Sequence, residues 1–242
     1  RALSLVAADG GQDAPIVFLG DYVDRGPDGK GVIDALMQGQ ADGRPWTCLI
    51  GNHDLMFWRF VTQGITADAH IKSGKGWLHH RLGGPTTLAS YIDAGTLRDV
   101  TGLSDFATDG YDPHPPEVRD ALWAAARGVV PQEHLDWIAT QPRMHEAEDH
   151  LFVHAGLRVG VPLDQQTEDD FTWIREGWID YQDALPQMVV HGHTALDFPQ
   201  HHGNRINLDG GAAYGRSLVP AVFEGRDVWT LTDAGRVPLV PG

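Results

Sequence analysis

The sequence predicts an α/β fold, two mixed sheets flanked by helices with a mostly helical insertion, and three observations carry that prediction. Four short apolar runs, Ile16 to Leu19, Thr47 to Ile50, Leu151 to Val153 and Met188 to Val190, each close on glycine or a polar residue and read as buried strands. Between about Gly64 and His150 the pattern has helical periodicity instead, punctuated by glycine and proline. After His193 short β-type runs separated by turn residues return.

In chain order, Ala2 to Ala8 reads as the end of an amphipathic helix. Residues 16 to 54 follow as strand, loop, helix over Lys30 to Met37, strand and loop, a parallel βαβ unit. Leu55 to Val61 continues as an apolar helix. In the insertion, Gly83-Gly84-Pro85, Pro113 and Pro115-Pro116 read as breaks, while Glu117 to Arg127 and Gln132 to Thr140 read as helices. Its Trp77, Leu78, Leu82, Leu88, Tyr91 and Ile92 are expected to form a local core rather than to touch substrate. Ile206 to Leu208, Leu218 to Phe223 and Asp227 to Leu231 are read as strands, the last two as a hairpin about Glu224-Gly225-Arg226.

A chain of 242 residues without a linker-like tract is expected to be a single domain, 1–242, with 64–150 as its inserted helical part. Eighteen Lys plus Arg against 33 Asp plus Glu give a net charge of −15. So acidic a chain repels nucleic acid, and clustered carboxylates make divalent metal a natural partner. The single cysteine, Cys48, excludes an internal disulfide and fits a reducing, cytoplasmic setting. No apolar stretch reaches the roughly 20 residues that a bilayer requires, so no membrane partner is expected. The opening at Arg1, without Met or a signal pattern, reads as a chain with something missing upstream.

The strand ends carry the chemistry. Gly20-Asp21-Tyr22-Val23-Asp24-Arg25-Gly26 puts two carboxylates and a guanidinium in one loop. A carboxylate can bridge two cations about 3.5–4 Å apart, the spacing of two-metal hydrolases, and Asp21 is the candidate. Arg25 offers a planar donor fork for phosphate oxygens, against the plainer reading of a surface ion pair. In Gly51-Asn52-His53-Asp54, Asn52 can ligate a hard cation through its carbonyl oxygen. His53, which titrates near neutrality, can protonate a leaving oxygen, with Asp24 holding its tautomer. His154 in Val153-His154-Ala155-Gly156 and His193 in Gly192-His193-Thr194 complete an N and O donor set suited to Mn, Fe or Zn. His191 is read as a supporting residue, and His79, His80, His201 and His202 as solvated or capping.

Taken in order, Gly-Asp-Tyr-Val-Asp-Arg-Gly, Gly-Asn-His-Asp, His-Ala-Gly and Gly-His-Thr resemble the calcineurin-like metallophosphoesterases. The first motif is similar to that of the bacterial branch of the serine/threonine protein phosphatases. The resemblance covers residues 20 to 193 and implies a metallophosphoesterase-type β-sandwich. It implies that Asp21 bridges two metals, that Asn52, His154 and His193 complete the second metal's shell, and that His53 is a general acid paired with Asp24. It further implies phosphate binding by Arg25 and by Arg175 of Trp173-Ile174-Arg175, which on its own would read as a surface charge. The implied activity is phosphomonoester hydrolysis by attack of a metal-bridging hydroxide on phosphorus, with manganese the expected ion.

Two departures stand out. The family opens with a Gly-Asp-x-His motif that ligates the first metal, and none occurs before Gly20; truncation is the favoured explanation. Asp54 stands where the eukaryotic phosphatases carry Glu. The expected substrate is a phosphorylated protein or a small phosphoester. The alternatives are a symmetrical dinucleoside-tetraphosphate hydrolase, for which Lys72, Lys75, Trp77 and Arg81 offer a grip without an evident stacking pattern, and a non-catalytic phosphoprotein-binding module.

Overall fold

The computed structural model describes residues 1–110, 114–147 and 149–242; the break expected at Pro113 lies outside them. In chain order the elements are α1 (Ala2–Gly10), β1 (Ile16–Phe18), α2 (Gly29–Ala41), β2 (Trp46–Cys48) and α3 (Asn52–Gln63). Then come α4 (Gly84–Tyr91), α5 (Ala94–Thr101), α6 (Phe106–Asp109), α7 (Pro116–Val129) and α8 (Gln132–Thr140). The remainder is β3 (Met144–Ala147), β4 (His150–Val153), α9 (Glu168–Trp173), β5 (Met188–His191), β6 (Gln200–His201), β7 (Arg205–Asn207), β8 (Ala221–Glu224), β9 (Asp227–Thr232) and β10 (Gly235–Pro238). The fold is mixed α/β.

The chain divides into two compact units, one of Arg1–Gly20, Asp42–Gly51 and Pro142–Gly242, the other of Asp21–Ala41 and Asn52–Gln141. It passes between them at Gly20/Asp21, Ala41/Asp42, Gly51/Asn52 and Gln141/Pro142, the first and third of these within the first two motifs.

The first unit holds the strands. β1 and β2 pair in parallel, and a mixed sheet runs β3-β4-β5-β7-β6, in which β4, β5 and β7 are mutually parallel and β3 and β6 antiparallel to their neighbours. β8, β9 and β10 form an antiparallel meander with the expected hairpin turn between β8 and β9. Leu49, just past β2, shares one buried cluster with Phe152, Val190, Ile206 and Val228 from these sheets, the apolar filling of a sandwich. A second cluster, Leu151, Val153, Leu157, Phe171, Trp178 and Val189, fills the other face of β4 and β5. With both faces covered, β4 is buried along its whole length, and its sequence is correspondingly apolar rather than alternating. β10 is exposed throughout and ends in Pro238, as an edge strand tolerates.

The second unit is helical. α3 buries Leu55, Met56, Phe57, Phe60 and Val61, and Trp77 lies against Phe57 and Phe60 with ring centroids 5.9 and 4.9 Å away. Of the expected local core, Trp77, Leu78, Leu88 and Ile92 are buried, while Leu82 and Tyr91 are half-buried. The prolines expected to break the insertion mostly start helices: Pro85 stands in the first turn of α4 and Pro116 opens α7, because proline's fixed φ suits a first turn that needs no N–H. The helical run ends at Thr140, and strand resumes at Met144.

Candidate metal and phosphate site

The candidate residues of the first two motifs, Asp21, Asp24, Arg25, Asn52 and His53, lie in the second unit, on the loop after β1 and the first turn of α3. The helix begins at Asn52 rather than at Leu55, so Asn52, His53 and Asp54 are helical and all three are buried. The opening turn of a helix leaves backbone N–H groups without intrahelical acceptors. One of them, His53 N–H, donates to Asp21 Oδ1 at 3.0 Å, which fixes that carboxylate. Asp54, fully buried, accepts from Asp21 N–H and Tyr22 N–H at 2.8 Å each, one on either oxygen. The residue singled out from sequence only as a departure is thus the brace of the Asp21 loop.

Asp24, also buried, takes the His53 Nδ1 proton on Oδ2 at 2.6 Å. The same oxygen accepts from Trp77 Nε1 at 2.8 Å, and Oδ1 accepts from the Thr87 hydroxyl at 2.6 Å. With Nδ1 committed to a carboxylate, Nε2 is the nitrogen left to exchange a proton with a substrate. Burial works against a charged His53 ring, but the Asp21 charge and the bond and charge of Asp24 outweigh burial and the nearby Arg25, and the pKa is raised. The Arg25 guanidinium, half-buried, donates through Nε to the Arg81 carbonyl at 3.3 Å.

The remaining candidates lie in the first unit. His154 directly follows β4, and its Nδ1–H donates to the Leu19 carbonyl at 2.7 Å, which sets the tautomer with its lone pair on Nε2. His193 stands two residues past β5, edge-on to His154 with ring centroids 5.1 Å apart and 6.0 Å from Trp173. Gly192 N–H donates to the His154 carbonyl at 2.8 Å, tying the two loops by their backbones. Arg175 lies past the end of α9 and is exposed, and its guanidinium donates to the His193 carbonyl at 3.3 Å. His191 is buried and neutral: burial first, then the Arg205 charge, push its pKa down to about 3.

Backbone strain marks the same residues in both units. Among the described residues the non-glycine positions with left-handed φ are Asp21 (59°), Asp24 (71°), Arg25 (62°) and His193 (65°). Such conformations cost roughly 1–3 kcal/mol each and cluster where function holds them. Gly20, at φ 95°, closes the end of β1 so tightly that a Cβ there would lie 2.6 Å from Gly51 N. Gly156 of the His-Ala-Gly motif makes room for Trp178, whose Cδ1 and Nε1 would be 2.4 Å from a Cβ.

Sequence reasoning singled out Asp21, Asp24, Arg25, Asn52, His53, His154, His193 and Arg175 as candidates but missed the partners that hold the Asp21–Asp24 loop, above all Asp54, Trp77 and Thr87. Only Asp54 had a signal, a third chemistry-bearing residue at the same strand end. Thr87 had none, and Trp77 read as core.

A profile of the calcineurin-like phosphoesterases matches residues 3–215, and the chain belongs to that family. It is by that membership a metal-dependent phosphoester hydrolase, and its family implies divalent metal ions. A comparison with curated proteins finds no match. Among solved structures, one described as a candidate diadenosine tetraphosphatase is similar at 21% identity and a TM-score of 0.58, over 99% of this chain and 86% of that one. The cold-active protein-tyrosine phosphatase of a psychrophile, Shewanella sp., is similar at 14% identity and a TM-score of 0.54, over 94% of this chain and 70% of that one. At these identities the likeness is one of fold. No helix among the described residues is long and apolar enough to cross a membrane.

Proposed function

We propose that this chain hydrolyses phosphomonoesters, with phosphoserine and phosphothreonine in protein as its substrate class, and that His53 is the general acid. The observation that carries the reading is the His53–Asp24 pair at 2.6 Å, in which the carboxylate fixes the tautomer and leaves Nε2 to give its proton to the leaving oxygen.

The donor set fits divalent metal: Asp21 has one oxygen already oriented by a helix N–H, and His154 has the tautomer that presents Nε2. Asp21, Asn52, His154 and His193 would hold the ions, Mn²⁺ first and Fe or Zn as alternatives suited to the same donors. When bound, such ions lower the pKa of water and neutralise phosphate oxygens. Arg25 and Arg175 would bind those oxygens, and Asp24 would keep His53 protonated until the leaving group departs. Cys48, the single cysteine of the chain, is buried and fits a cytoplasmic setting.

Against the dinucleoside-tetraphosphate reading, the Trp77 ring is wholly buried and so cannot stack on a base. The test is a substrate panel with Mn²⁺ titrated from zero: an aryl phosphate, a phosphoserine peptide, a phosphothreonine peptide and diadenosine tetraphosphate. Turnover of aryl phosphate and phosphopeptides, abolished by chelator, is expected. Preferred cleavage of the dinucleotide overturns the substrate class, and phosphopeptide binding without turnover of any ester overturns the catalytic reading.

A further inference from the structure

We propose that Trp77 and Thr87 are positioning residues for His53, acting through Asp24 as a clamp; this rests on the reading in which His53 is the general acid. Both residues are fully buried and lie in the same unit as the pair they hold. Thr87 grips Asp24 twice, its hydroxyl oxygen accepting from Asp24 N–H at 2.8 Å while its proton goes to Asp24 Oδ1 at 2.6 Å. Trp77 Nε1–H meets Oδ2, the oxygen that also takes the His53 proton. The carboxylate is therefore held at both oxygens and at its own backbone, and it cannot swing away without leaving buried donors unsatisfied.

The clamp has three consequences. Asp24 keeps its left-handed backbone, φ 71°, because the neighbouring bonds over-determine it. The imidazole, bonded to a carboxylate that cannot rotate, is held in one plane, so Nε2 has one direction of approach. With the Trp77 N–H and the His53 Nδ1–H both directed at Oδ2, that oxygen's two lone pairs are engaged, so it serves the ring rather than solvent.

The surrounding packing serves the same geometry. The Trp77 ring lies against Phe57 and Phe60 of α3, the helix whose first turn carries His53, so the clamp and the acid share one support. Gly83 and Gly84 permit the approach: a Cβ on Gly83 would lie 2.3 Å from Arg25 N, and one on Gly84 2.4 Å from the Trp77 carbonyl oxygen. Trp77, Gly83-Gly84 and Thr87 thereby form one sequence-local device that reaches the Asp24-Arg25 loop.

The test compares Trp77→Phe, Thr87→Val and Thr87→Ser with the wild type and His53→Asn on an alkyl and an aryl phosphate. Trp77→Phe and Thr87→Val are expected to lower kcat on the alkyl ester about tenfold, the low end for partners that orient a reactive side chain. The aryl ester and both KM values should change by less than about twofold, since a loss confined to the transition state leaves ground-state binding alone. Thr87→Ser, which keeps the hydroxyl, should restore the alkyl rate.

A second measurement needs no turnover. In the ¹⁵N-histidine-labelled wild type, the His53 resonance, identified by its loss in His53→Asn, should show a proton on Nδ1 that exchanges slowly, and faster exchange in Trp77→Phe and Thr87→Val. Equal losses on both esters, a Thr87→Ser no better than Thr87→Val, or a fast-exchanging Nδ1 proton in the wild type overturns the clamp. If His53→Asn itself slows both esters equally, the general-acid reading fails and the clamp fails with it. If His53→Asn separates the esters and the clamp variants do not, the clamp alone fails.

Discussion

His53 and His154 are both buried imidazoles with Nδ1 tied down, but to partners of different charge. His53 donates to the Asp24 carboxylate at 2.6 Å, in the helical unit, and His154 to the Leu19 carbonyl at 2.7 Å, in the β-rich unit. A carboxylate holds the tautomer and also favours the protonated ring, which suits a proton donor. A carbonyl holds the tautomer without adding charge, which suits a neutral ligand to a cation. On the proposed reading, the same side chain is thus steered to two tasks by the group behind it. The scaffolds differ too: the His53 side is braced by side chains, namely Asp54, Thr87 and Trp77, and the His154 side mainly by backbone.

The sharpest way to break this contrast is His53→Asn. Its kcat on an alkyl phosphate should fall about 10²- to 10⁴-fold, the range of a general acid, and its kcat on an aryl phosphate much less. A comparable effect of leaving group in His154→Asn would erase the distinction, since a ligand variant should instead need more metal for the same rate.

The next effect is on stability. Asp54→Ala leaves Asp21 N–H and Tyr22 N–H without the carboxylate that accepts them, and should destabilise by about 3 kcal/mol in urea unfolding. A loss below about 0.5 kcal/mol, the range of ordinary surface substitutions, would show that Asp54 does not brace this side.

Gly20→Ala probes the backbone-held side, because Gly20 follows the carbonyl that orients His154. The added methyl meets Gly51 backbone at 2.6 Å under a φ of 95°, and neither can shift cheaply. The expected cost is about 2 kcal/mol, measured the same way, with a weaker response to Mn²⁺. Wild-type stability and metal response would remove the role of the β1 end.

The smallest effect depends on pH. Asp170 and Thr167 close a capping box that starts α9, the helix that carries Trp173, beside His193. Burial raises the Asp170 pKa, but the Thr167 N–H and hydroxyl and the Arg158 guanidinium outweigh it and hold the pKa below the ordinary value. A depressed folded pKa contributes stability that is present above the unfolded pKa, about 3.9, and is lost as pH falls through the folded one. Asp170→Asn should therefore be about 1 kcal/mol less stable than wild type near pH 6, with the gap closing below about pH 4. A gap that stays constant down to acid pH would sink the assignment.

The parts that were legible in the sequence share a physical cause. β4 and β5 have covered faces, so their runs had to be apolar. β3, β6 and β10 lacked that signal because they lie at sheet edges, where Met144–Ala147 and Gly235–Pro238 need no continuous apolar face. α4 was hidden behind Gly84-Pro85, which reads equally as a break or as a first turn. Asp21, Asn52, His53, His154 and His193 stood out because few structural loops call for those donors at successive strand ends.

The sequence by itself determined the family and with it the class of chemistry, and it marked candidate donors, because metal and phosphate select residue types that a short motif displays. It could not say what holds them. Trp77 and Thr87 lie 53 and 63 residues from Asp24, and only folding brings their N–H and O–H to that carboxylate. The left-handed backbone of Asp21, Asp24, Arg25 and His193 was likewise decided by the tertiary structure. Asp and His visit that region more readily than most residues, but nothing local requires it at these four positions, and it persists because bonds from distant parts of the chain over-determine it.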